Sequence, residues 1–170
     1  MPGRETAVMD TAERLALPFV DAHTAEVAAD AGTVWQTLGA ALDRSFSGGR
    51  STAVARLLGC ADAAPSGPRP LVRGATVGGF RVTAADPGRE LALLGRHRFS
   101  TYALVFRLEE AGEGRTRVRA ETWARFPGPA GAVYRALVIG TGGHRVAVRR
   151  MLTSLEGRGE PRDRPRRRRT

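Results

Sequence analysis

The stretch beginning at Phe126, FPGPAGAVYRALVIGTGGHRVAVRRMLTSLEG, constrains the fold more than any other. Pro127 and Pro129 stop whatever precedes them, because proline cannot donate to a strand ladder or continue a helix. A long helical pattern follows. Tyr134, Leu137, Thr141, His144, Val148, Met151, Leu152 and Leu155 recur at spacings of three and four, so they share one face. Arg135, Arg145, Arg149 and Arg150 fall mostly on the other faces. Every long strand-like segment lies upstream, and a sheet with one apolar face must cover it. This helix is the longest candidate cover, with a cavity expected between the two. The run Gly140-Thr141-Gly142-Gly143 should bend or break it, since each interior glycine costs about 1 kcal/mol relative to alanine.

The strands occupy Leu71–Phe126. Leu71–Arg73 and Gly78–Asp86 come first, with Phe80, Val82 and Ala84 expected on one face. Asp86-Pro87-Gly88 signals a turn. Glu90–Phe99 aligns Leu91, Leu93, His97 and Phe99. Thr101–Glu109 aligns Tyr102, Leu104, Phe106 and Leu108. In Arg115–Phe126, arginines alternate with Thr116, Val118, Ala120 and Thr122. The short links favour antiparallel pairing. Upstream, Phe19–Ala29 reads as a half-buried strand in which His23, Ala25 and Val27 share a face. Asp30 is a good N-cap for a helix through Arg44. A second short helix should start at Ser51 or Thr52, and 61–70 is a loop. The domain expected from this order spans 19–156, after an irregular segment 1–18.

Composition removes several classes. At 170 residues the chain suits one domain with a sizeable core. The single cysteine, Cys60, excludes an internal disulfide framework and a cysteine-based zinc site. The three histidines are far apart in sequence, so no metal is expected. No apolar run approaches the roughly 20 residues of a membrane helix, and the N-terminus makes a poor secretory signal, so a cytoplasmic protein is expected. All 27 basic residues are arginine. Residues 157–170 hold seven of them against two acids, which is half of the net charge of +10. That tail is expected to be solvated and disordered, attracting nucleic acid or anionic lipid only nonspecifically.

The order of strand, two short helices, antiparallel strands and long C-terminal helix resembles the START/Bet v1-like superfamily of polyketide cyclases, dehydratases and lipid-transfer proteins. The resemblance covers about residues 19–156. It is carried by EVAADAGTVWQTL (Glu26–Leu38), VGGFRVTAADPGRELAL (Val77–Leu93) and AVYRALVIGTGGHRVAVRRML (Ala132–Leu152). Where the superfamily often has a proline just after the first strand, this chain has Asp30-Ala31. The resemblance implies an α+β helix-grip fold, a curved antiparallel sheet around the last helix, and a cavity for a hydrophobic or amphipathic small molecule.

Inward polar residues are few. Strand and helix periods place His97, Tyr102, His144, His23 and Thr122 where they can converge on one apolar cavity, the usual composition of a small-molecule site. Leu93, Phe99, Leu104, Tyr134, Leu137, Thr141 and Val148 are the expected ligand-contacting residues around them. Each histidine and Tyr102 competes with a bland reading as core packing with one hydrogen bond. The sequence has no GxSxG, and Cys60 has no adjacent histidine, so nucleophilic catalysis has little support. Two functions remain. One is a carrier or sensor of a hydrophobic lipid, polyketide or similar metabolite, as monomer or homodimer and without cofactor. The other is a cofactor-free cyclase or dehydratase in which His97, His144 and Tyr102 do general acid–base work. No inward carboxylate is expected to orient an imidazole, because Glu121 falls outward.

Overall fold

The structure, a computed structural model, describes residues 16–140 and 143–156. The expectations for most of the N-terminal segment, for Thr141 and for the arginine-rich tail lie outside the described residues. So does the side chain of His144, although its backbone is helical.

Strand β1 (Phe19–Val27) leads into helices α1 (Ala31–Phe46) and α2 (Gly49–Leu58). Five strands follow: β2 (Thr76–Val77), β3 (Phe80–Asp86), β4 (Glu90–His97), β5 (Ser100–Glu110) and β6 (Thr116–Arg125). The chain closes with α3 (Gly128–Arg135), a π-helical turn (Ala136–Gly140) and α4 (Gly143–Glu156). The strands form one curved sheet in the order β1-β6-β5-β4-β3-β2, antiparallel throughout. Helices cover its concave face.

Local chemistry accounts for the element boundaries. Asp30 caps α1 as expected: its carboxylate accepts from the Thr33 amide at 2.9 Å and the Thr33 hydroxyl at 2.7 Å. Helix α2 starts earlier than expected, after Gly48, with no side-chain cap. It ends at Gly59, whose left-handed φ of 72° suits glycine alone. The segment Leu71–Arg73 forms no strand. It buries Leu71 as irregular chain, and the edge pairing is made by Thr76 and Val77 instead. A bulge at Thr83 inserts one extra residue into β3, so Ala85 rather than Ala84 packs inward with Val82.

The closing helix departs most from the 3.6-residue pattern. Regular α-helix ends at Arg135, ahead of the glycine run, and a π-helical turn takes over. A π turn holds more residues per turn than an α-helix, which breaks the 3.6-residue spacing locally. Leu137, expected on the inner face with Tyr134, is therefore 62% exposed. After the break, Val148, Leu152 and Leu155 return to the core.

The interior divides into two halves. Leu38 and Leu42 of α1, Val82, Leu91, Leu93, Phe106, Val118 and Leu155 fill one half completely. Each such side chain contributes about 1.5–3 kcal/mol by leaving water. Residues at the other end of the same strands leave a space. On β5 the boundary falls between Leu104, which borders the space, and Phe106, which is fully packed.

Candidate functional site

The space is a cavity of about 420 Å³ beside the β4–β5 hairpin. The sheet supplies Phe80, His97, Ser100, Tyr102, Leu104, Thr122 and Ala124. Ser45, Phe46 and Leu58 come from the ends of α1 and α2, and Tyr134, Val148 and Met151 from the closing helices. Phe126 completes the wall. Most of this surface is hydrocarbon.

Aromatic rings run along one side. Phe46 meets Phe80 at 5.1 Å between centroids, Phe80 meets Tyr102 at 5.0 Å, and Tyr102 meets His97 at 5.4 Å. His97 then meets Tyr134 edge-on at 4.8 Å, and Phe99 stacks on Tyr134 at 5.7 Å. Gly95 makes this run of rings fit. It stands directly across from Tyr102, and its missing side chain lets the phenol ring lie over strand β4. The Tyr102 hydroxyl then donates to the Gly79 carbonyl at 2.8 Å and lies 3.8 Å from Cys60 Sγ. Burial, with Cys60 close by, pushes the Tyr102 hydroxyl far above its ordinary pKa, so it stays protonated. Burial raises Tyr134 as well.

His97 ends β4, and only Arg98 and Phe99 separate it from Ser100 at the start of β5. His97 is 7% exposed. Its Nδ1 accepts from the Phe99 amide at 3.1 Å, and its Nε2 lies 3.1 Å from Ser100 Oγ. Burial lowers its pKa, because the interior solvates imidazolium poorly. A group whose folded pKa lies below its unfolded value, near 6.5, stabilises the fold fully above that value. The contribution is lost as pH falls through the folded pKa. Lowering pH from about 7 to about 5 should therefore weaken the wild type more than a His97→Gln variant, which keeps an acceptor and a donor but cannot titrate. Parallel urea titrations would check this, and equal slopes would contradict it.

The remaining expected residues scatter. Leu104, Thr122, Tyr134 and Val148 border the cavity with His97 and Tyr102. Leu93 is fully buried in the filled half, Phe99 supports the Tyr134 ring from outside the lining, and Leu137 is exposed. His23 faces the concave side of β1 but does not border the cavity. Its Nε2 lies 3.6 Å from Asp21 Oδ2, and both side chains are mostly buried. Asp21 is thus an inward carboxylate, contrary to the expectation of none. Period two counted back from Val27 through His23 reaches it, so the signal was present. Glu121 lies on the convex face as expected. It is nonetheless buried between Arg107, at 2.7 Å, and Arg119, at 2.8 Å, which hold its carboxyl below the usual range against the opposing effect of burial. Ser100 carried no such signal, because the turn that sets it against His97 lacks glycine and asparagine.

No group of three metal-ligating side chains lies together among the described residues. No helix among them is long and apolar enough to cross a membrane. Comparison of sequences finds no matching family model and no matching curated protein. Comparison of structures finds similarity to the Zhui aromatase/cyclase from Streptomyces sp. R1128. That likeness has a TM-score of 0.52 at 17% identity and covers 88% of this chain and 97% of the other. CalU16 from Micromonospora echinospora is similar at a TM-score of 0.50 and 15% identity, over 87% and 85% of the two chains.

This chain has a helix-grip fold. The α+β architecture implied by the sequence resemblance is thus the one observed. At these identities the likeness carries the fold and nothing finer. Within the helix-grip frame the cavity lies between the sheet and the closing helices, which contribute Tyr134, Val148 and Met151.

Proposed function

We propose that residues 19–156 form a binding domain that takes a hydrophobic or amphipathic small molecule, such as a lipid, polyketide or similar metabolite, into this cavity. One observation carries the reading. An apolar, aromatic-lined space of about 420 Å³ stays open in a fold whose other half is fully packed. Its volume falls within the roughly 300–1,000 Å³ of small-molecule sites, and its few hydroxyls match their usual make-up. A ligand entering it would gain contacts with these apolar atoms on several sides.

The alternative is a cofactor-free cyclase or dehydratase working through His97, Tyr102 and His144. One structural neighbour is named an aromatase/cyclase, and that name describes the neighbour alone. The groups such chemistry would use are already engaged here. Both His97 nitrogens have protein partners, and the Tyr102 hydroxyl is spent on Gly79. A general base needs a free lone pair within reach of its proton. Binding is therefore the reading this geometry supports better.

The neutral dye N-phenyl-1-naphthylamine should bind saturably with one-to-one stoichiometry and a blue-shifted emission, and native mass spectrometry should show the same complex. No dye uptake, with no co-purified small molecule, would defeat the proposal.

A further inference from the structure

The hydrogen bonds around His97 have a fixed direction. The Phe99 amide donates to Nδ1, so Nδ1 carries a lone pair and no proton. A neutral imidazole must then hold its proton on Nε2. Nε2–H donates to Ser100 Oγ, which accepts. One lone-pair position of that hydroxyl is thereby filled, and its own proton is left to donate. Ser100 is 3% exposed to solvent, yet it borders the cavity. Among the described residues its proton has no acceptor. The Tyr102 hydroxyl, in the same run of rings, points its proton away to Gly79.

From this we infer that Ser100 presents a hydrogen-bond donor of fixed polarity to the cavity, set by His97 as a positioning residue, and that the ligand carries an acceptor oxygen, of the carbonyl type, at that point. The inference rests on the cavity being a ligand site. A buried hydroxyl proton without an acceptor is unfavourable, and a carbonyl taken out of water without a donor is equally so. Each group offsets the desolvation of the other when they meet. A pure hydrocarbon ligand would leave the Ser100 proton unmatched. A ligand offering only a donor there would meet a second donor. The preference is built in before binding, because β4, β5 and the turn amide hold all three groups in place.

The test uses two probes of nearly equal shape, 2-acetylnaphthalene and 2-ethylnaphthalene, which differ by a carbonyl. Both should bind the wild type. Ser100→Ala should weaken the ketone by about tenfold and leave the hydrocarbon within about twofold, since the variant removes the donor and little volume. Ser100→Thr, which keeps a hydroxyl, should restore most of the ketone affinity. The ¹⁵N spectrum of His97 should show a protonated Nε2 and an unprotonated Nδ1 near pH 7.5, a readout that a merely structural histidine would not require. Equal weakening of both probes, no weakening of either, or an Nδ1-protonated imidazole would overturn the inference while leaving the cavity a binding site. Failure of both probes to bind the wild type would remove the site and the inference together.

Discussion

Replacing Gly95 with alanine should lower the melting temperature by about 10 °C and abolish dye uptake. A methyl group at this position would overlap the carbonyl oxygen of Gly79 and the ring of Tyr102. Neither can give way cheaply. The Gly79 carbonyl accepts the Tyr102 hydroxyl at 2.8 Å, and Gly79 itself has a φ of 88°, a conformation that leaves its peptide little freedom. The phenol ring is held between Phe80 and His97. Overpacking of this kind costs about 3 kcal/mol, which corresponds to about 10 °C in a domain of this size. The ring would be pushed toward the cavity, so binding should fall with stability. Thermal unfolding followed by circular dichroism would check the first effect. A change under about 2 °C would show that the ring and strand accommodate the methyl group.

Replacing Ala124 with tryptophan should spare stability and do the same to binding. Ala124 is buried on the concave side of β6 and borders the cavity, across from Tyr102 in register. An indole there would occupy the open space instead of the core, which is already filled further along the strands. Dye affinity should fall at least 100-fold. The melting temperature should stay within about 3 °C of wild type or rise, because the side chain gains contacts with the cavity wall. If the variant binds dye as well as wild type, the dye occupies some other surface and the cavity is not the site. Together the two substitutions separate loss of binding through collapse from loss of binding through occlusion.

Much of the fold was legible because its devices are local. Asp30 reads as a cap from its neighbours alone, and it caps α1. The alternation in β5 and β6 survives intact because neither strand is bulged against the other, so Tyr102, Leu104 and Thr122 reach one cavity as period two requires. The errors occur where an irregularity breaks a period. Thr83 bulges and sends Ala84 outward. The π-helical turn rotates Leu137 into solvent. In a strand a single inserted residue exchanges faces for everything beyond it, and no composition marks where that residue will be.

The sequence alone determined that this chain makes an antiparallel sheet closed by a C-terminal helical segment, because apolar periodicity and proline stops act over a few residues. It also placed His97 and Tyr102 on the inner face, by the same alternation. Only the tertiary structure decided what those groups are free to do. Hydrogen-bond partners such as Ser100 for His97 and Gly79 for Tyr102 depend on where a turn closes and where a glycine leaves room. Those outcomes follow from strand register, and register is set by the packing of the whole sheet rather than by any residue in it.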